Sequence, residues 1–338
     1  MVKLAVEGLN QYNMNNSSFL RCIAIVLIVN SHLDHLYPLP ALGTGGAIGN
    51  ALFFMLSGYG LVLSESNGSR NFLSWYKRRI FRIYPSLILA TFFVIMIPQK
   101  VWRQWNFTDY IYWLIWPTNY WFISALMIFY VIFFLIMKRK NDKYFMACIL
   151  ILIIPYLFFY LTTIDLSQYS IEGPGYFKWI FYLQTMFFGG YMAGRPRFTH
   201  TIFFKDGLAL IFSIGLYYGM LMMMSKVGGW QFQIATHLLM FFILFVFLKI
   251  SESDVIKSLL SKRYIGAAIA LMAALTLEIY LLHGAVYTHP VLQKILFPFN
   301  IILFWIVVII LSFILNRISG LIILKLFNGN KEKAVVQY

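Results

Sequence analysis

Ten long apolar runs, separated by short loops rich in lysine and arginine, limit what this chain can fold into more than any other feature. They cover 18–36, 47–64, 80–98, 121–137, 144–163, 179–195, 207–224, 231–250, 264–283 and 299–324. About 20 apolar residues in a helix cross the ~30 Å hydrocarbon core of a bilayer. In lipid every backbone polar group must be satisfied internally, which leaves helices or closed barrels. Runs of this length predict an all-α polytopic membrane protein with about ten transmembrane helices. The chain is 61% hydrophobic and 12% charged, which excludes an ordinary soluble domain. The stretch 108–117, too short to cross and ending at Pro117, is expected to be interfacial or re-entrant.

The net charge of +15 could suggest a nucleic-acid partner, but the cations sit in loops between spans. With a cytoplasmic N-terminus, the inside loops hold Arg70, Lys77, Arg78, Arg79, Arg82, Lys138, Arg139, Lys140 and Lys143. Further along they hold Arg195, Arg197, Lys205, Lys257, Lys262, Arg263, Lys325, Lys331 and Lys333. The outside loops hold Lys100, Arg103, Lys178, Lys226 and Lys294. This asymmetry predicts that both termini are cytoplasmic. The first 17 residues are polar and mixed, so the first span is expected to be an uncleaved anchor. Cys22 and Cys148 lie in apolar runs and read as small buried hydrophobes, and no metal-ligand spacing is present. A single domain over 1–338 is expected, with a short cytoplasmic tail at 326–338 and no second domain.

Ionisable residues inside apolar runs are costly and point to function. Arg21 and His32 are eleven residues apart in the first run. On a continuous helix they would share a face, ~16 Å apart along the axis. Snorkelling of Arg21 and a satisfied His32 would be the structural explanation. His35 falls on the same stripe, whereas Asp34 points elsewhere. FFMLSGYGL (53–61) places Ser57, Gly58 and Gly60 in a small-residue patch, suited to close helix packing or to a serine role without nucleophile-elbow support. YKRRIFRIYP (76–85) sets Arg79 and Arg82 on one face ahead of Pro85. Those arginines could anchor topology on anionic lipid or bind a phosphate-bearing ligand. Trp121 heads NYWFISALMIFY (119–130), and LTLEIYLLHG (275–284) buries Glu278, Tyr280 and His283 in an apolar run. Glu278 needs a partner on another helix. His237 and Arg317 read as structural.

In this order and spacing, the stretches resemble the membrane acyltransferase type 3 family, bacterial enzymes that O-acylate cell-envelope glycans. The matching pieces are Arg21 with His32, FFMLSG, Arg79-x-x-Arg82 with Ile83-Tyr84-Pro85, WFISALMIFY, FFGGYMAGR (187–195) and IYLLH (279–283). The resemblance implies an O-acetyltransferase of the bacterial cytoplasmic membrane, drawing on cytoplasmic acetyl-CoA or another acyl-CoA and needing no metal. It implies His32 as general base or acyl carrier, preferred over His35. Arg21, Arg79, Arg82 and Tyr84 fall to the acyl-CoA. His35, Ser57, Trp121 and His283 fall to the glycan acceptor. Some members carry serine-leucine-x-x-glutamate after the tryptophan; here Leu126 stands there, which leaves Asp34 or Glu278 as the catalytic carboxylate. Membrane lipid is a further partner, nucleic acid is not, and a homo-oligomer stays open. The rival reading is a glycan exporter or lipid-linked-sugar flippase using the same polar stripe. A purely structural membrane subunit is a third.

Overall fold

The computed structural model describes residues 2–65, 71–100, 104–139, 141–173, 175–195, 198 and 201–328. The loop cations Arg70, Arg103, Lys140, Arg197, Lys331 and Lys333, and most of the 326–338 tail, lie outside these residues.

Every regular element among the described residues is helical. The helices are α1 (Val2–Asn30), α2 (Gly46–Glu65), α3 (Phe72–Ala90), α4 (Ile97–Gln99) and α5 (Phe107–Tyr110). They continue with α6 (Trp121–Met137), α7 (Lys143–Thr163), α8 (Phe177–Ala193), α9 (Phe203–Val227) and α10 (Ile234–Ser251). The last are α11 (Asp254–Ser261), α12 (Arg263–Ala274), α13 (Thr276–Tyr287), α14 (Pro290–Gln293) and α15 (Phe299–Asn328). All ten apolar runs lie largely on helices. Among the described residues seven tracts are long and apolar enough to cross a membrane, and the bent pair α12 and α13 would make eight. The chain is an all-α, multi-pass membrane protein. The two expected spans that fall short are the apolar part of α1, Asn16–Asn30, and the 17-residue α8.

Two expectations change in detail. The run 264–283 is not one straight helix; it breaks at Leu275 and bends by 74°. Glu278 lies in the first turn of the new helix, where the positive end of the helix dipole offsets part of the cost of burying a carboxylate. The 108–117 segment is helical through α5 and a π-turn (Ile111–Ile115), breaks near Pro117, and resumes as α6. Length and composition make Phe107–Met137 a single candidate crossing.

The chain divides into two compact units. The first comprises residues 1–24, 47–69 and 133–270. In it α7 packs on α8 and α9 on α10, and α2 approaches α8 through paired glycines. A Cβ on Gly58 would come within 1.9 Å of the Met186 carbonyl oxygen, and one on Gly189 within 1.8 Å of that of Met55. Only glycine permits backbones this close, and such small-residue seams are how helices pack where lipid removes the hydrophobic drive. The second unit comprises 25–46, 70–132 and 271–338, with α13 packed on α3 and α15.

Candidate active site

In the second unit, α1 ends at Asn30 because that side chain is captured. Its Nδ2 donates to the carbonyls of Leu42 (2.7 Å) and Thr44 (2.9 Å), and its Oδ1 accepts from the Tyr37 hydroxyl (2.6 Å). The next residues close in tighter turns, with His32 N donating to the Val29 carbonyl and Leu33 N to that of Asn30. The expectation that His32 shares a helical face with Arg21 is corrected here, since 100° per residue does not extend past Asn30. His32 stands in the turn beyond the helix.

That turn meets one face of α13. The His32 ring lies 5.1 Å from the His283 ring and 5.9 Å from the Tyr287 ring, to which it is nearly parallel at 6°. His35 also joins, 5.5 Å from Tyr287. Its Nε2 is 3.2 Å from the Tyr287 carbonyl oxygen and its Nδ1 is 3.3 Å from Asp34 Oδ1. Both ring nitrogens of His35 thus face acceptors. His32 differs: it is exposed, and among the described residues neither of its ring nitrogens has a hydrogen-bond partner.

His283 is buried, and its Nδ1 is 2.7 Å from the Tyr280 carbonyl oxygen. Tyr280 extends the aromatic line to Phe122 (5.5 Å) and Tyr120 (6.2 Å), next to Trp121 at the start of α6. Trp121 itself packs on Phe122.

The carboxylates divide differently from expectation. Asp34 is well exposed and accepts from the backbone N–H of His35 as well as its ring. Glu278 is buried and accepts the Ser86 hydroxyl of α3 at 2.8 Å, and the charge of Arg82 acts on it. Neither carboxylate hydrogen-bonds His32. On α3 the guanidinium of Arg79 lies over the ring of buried Trp75 (5.5 Å), one turn before exposed Arg82. The Tyr84 hydroxyl is engaged, donating to the Ile115 carbonyl with Met127 Sδ 3.9 Å away, so it ties the 107–120 segment to α3.

Arg21 and Ser57 belong to the first unit. Arg21 is half-buried on α1, with an Nη2 3.7 Å from where a Cβ on Gly60 would lie. Ser57 Oγ donates to the Phe53 carbonyl of its own helix (2.9 Å), as in the packing reading of this patch.

Tyr287 is a site residue that sequence reasoning did not single out, and Tyr280 was named there without a role. Their signal is the spacing 280, 283, 287, one face of a helix. A family model described as an acyltransferase domain matches residues 15–317. No curated protein and no solved structure matches the chain.

Proposed function

Because this chain belongs to the acyltransferase family, we propose that it moves an acyl group, acetyl in the first instance, from cytoplasmic acyl-CoA to a hydroxyl of an extracytoplasmic polysaccharide or other envelope glycan. The observation that carries this reading is His32. It stands in a cluster of engaged rings with both of its own nitrogens unengaged, which is the condition a general base needs.

In the transfer, a neutral His32 takes the proton of the acceptor hydroxyl as its oxygen attacks the thioester carbonyl. The C–O bond forms, the C–S bond breaks, and the proton leaves on the CoA sulfur. Arg79 and Arg82 suit the donor's phosphates, being neighbours on one face of α3 and able to form bidentate pairs. Arg21 is assigned to the donor on the resemblance alone. The basic loops support cytoplasmic termini and a location in the bacterial cytoplasmic membrane, in contact with anionic lipid. One family match over 15–317 supports reading the chain as a single integral-membrane domain.

The test uses the full chain in vesicles with radiolabelled acetyl-CoA and purified envelope glycans. Label is expected in the glycan with the wild-type protein and not with His32→Ala. Glycan export without label transfer, unchanged in the variant, would establish the exporter reading instead.

A further inference from the structure

A row of aromatic rings in the second unit runs from the segment ahead of α6 to His32. Trp105 stacks on Trp113 at 5.7 Å and 11°, and Trp113 meets Tyr120 edge-on at 5.9 Å. Tyr120 lies 6.2 Å from Tyr280, Tyr280 5.8 Å from His283, and His283 5.1 Å from His32. Trp105, Trp113 and Tyr120 are half-buried, so part of each ring is open. His283 is buried, and His32, at the end of the row, is exposed. Asn106 and Asp109 are spent on each other in a capping box, whereas Asn119 beside Tyr120 is exposed. An aromatic belt at a membrane face would account for tryptophan and tyrosine here. It does not account for a row that leads through the unit and ends on the proposed base. Nor is the whole segment needed to cross, since Phe107–Met137 has 31 residues where about 20 suffice.

We infer that Trp105, Trp113 and Tyr120 form the acceptor track of the transfer: a chain of linked sugar rings lies along them and presents one hydroxyl to His32. This rests on the acyl-transfer reading above, and it narrows the acceptor to an oligosaccharide or polymer of several units. The C–H faces of a sugar ring carry slight positive charge and suit the negative face of an aromatic ring. Sites for such ligands combine aromatic walls with a few polar groups that fix orientation, as Asn119 can here. Successive rings from Tyr120 to His32 are 5.1–6.2 Å apart, close to the length of one sugar unit. A single sugar at His32 therefore does not reach the tryptophans, and a longer chain does. Trp121 borders the same row, because it packs on Phe122, whose ring is 5.5 Å from Tyr280.

Acceptors of graded length, cut from a purified envelope polysaccharide, test the track with the full chain in vesicles and radiolabelled acetyl-CoA. In Trp113→Ala, KM should rise about tenfold for acceptors of several sugars. KM for acetyl-CoA and the rate on a single sugar should hold. Trp113→Phe, which keeps a ring face, should recover most of the loss. A loss of equal size on short and long acceptors means that Trp113 only supports the fold, and an unchanged KM on long acceptors leaves no track; either result overturns the inference. Binding without turnover is read from the tryptophan fluorescence of the detergent-solubilised chain, titrated with the same sugars. Affinity should grow with acceptor length in the wild type and stay flat in Trp113→Ala. If it does so while the wild type moves no label from acetyl-CoA, the acyl-transfer reading fails and the glycan site remains. If label moves and affinity does not grow with length, the track is overturned and the transfer reading stands.

Discussion

The first unit has its own imidazole, His237, and it is the opposite of His32. Its Nδ1 accepts from the Tyr156 hydroxyl at 2.6 Å and its Nε2 donates to Glu172 Oε1 at 2.9 Å. Glu172 Oε2 in turn accepts from the Tyr182 hydroxyl at 2.7 Å, and Phe181 stacks on the ring at 3.7 Å. Every donor has an acceptor, and His237 is 2% exposed. Such a network holds a fold together: it joins α7, α8 and α10 to the 164–176 connection, and no lone pair is left for chemistry. His32 is exposed and unengaged. The same residue type thus takes two roles, and hydrogen-bond saturation together with burial tells them apart.

The sharpest way to break this comparison is to exchange the readouts. His32→Ala should lower acyl transfer by about 10²–10⁴-fold, the range for a general base, while the detergent-solubilised protein keeps its Tm. A loss of stability with retained transfer would reverse the assignment.

His237→Ala should do the converse. It leaves Glu172 Oε1 and the Tyr156 hydroxyl without their partner, which costs about 1–3 kcal/mol for each buried group left unsatisfied. Thermal unfolding should show a large drop in Tm, with near-normal activity per folded molecule. Tyr182→Phe should cost less, about 1–3 kcal/mol, because Glu172 keeps its bond to His237.

Gly58→Ala tests the glycine seam of the first unit. The added methyl meets backbone, not a movable side chain, so α2 and α8 must separate, at about 1–3 kcal/mol. Gly60→Ala is the control, since its Cβ would meet only the Arg21 guanidinium at ordinary contact distance. Equal Tm values for the two variants would show that the seam is not tight.

These contrasts explain what could be read beforehand. Apolar runs become helices because lipid allows little else, so the all-α, multi-pass architecture was legible in the sequence. The break at Leu275 was not, because neither Gly nor Pro marks it. Gly58 was legible as a packing residue, but its partner on α8 was not. His32, Arg79 and Arg82 stood out by charge and spacing. The approach of His32 to His283 joins positions 251 residues apart, and no local pattern encodes it. The seating of Glu278 on Ser86 is equally non-local. Nor does periodicity announce saturation: His237 reads as structural in the sequence, but the partners that saturate it, Tyr156 and Glu172, do not show there.

The smallest effect lies in the connection that Glu172 anchors. Asp165 accepts from Ser167 Oγ (2.6 Å), Ser167 N (2.9 Å) and Gln168 Nε2 (2.7 Å), and these bonds hold its carboxyl below the usual carboxylate range. A carboxyl depressed in the folded state contributes stability above its unfolded pKa, about 4, and loses that contribution as pH falls through the lower folded value. Asp165→Asn should therefore lower Tm slightly at pH 7, with the difference from wild type shrinking as pH falls through the depressed folded value. The group is exposed, and the same connection is independently held by Gln233 Oε1, which accepts from the N–H groups of Ser170 and Ile171 at 3.0 Å. Acid should thus loosen the connection without releasing it. A drop in Tm as large as that of His237→Ala would mean that the surface turn, and not the saturated network beneath it, holds this part of the first unit.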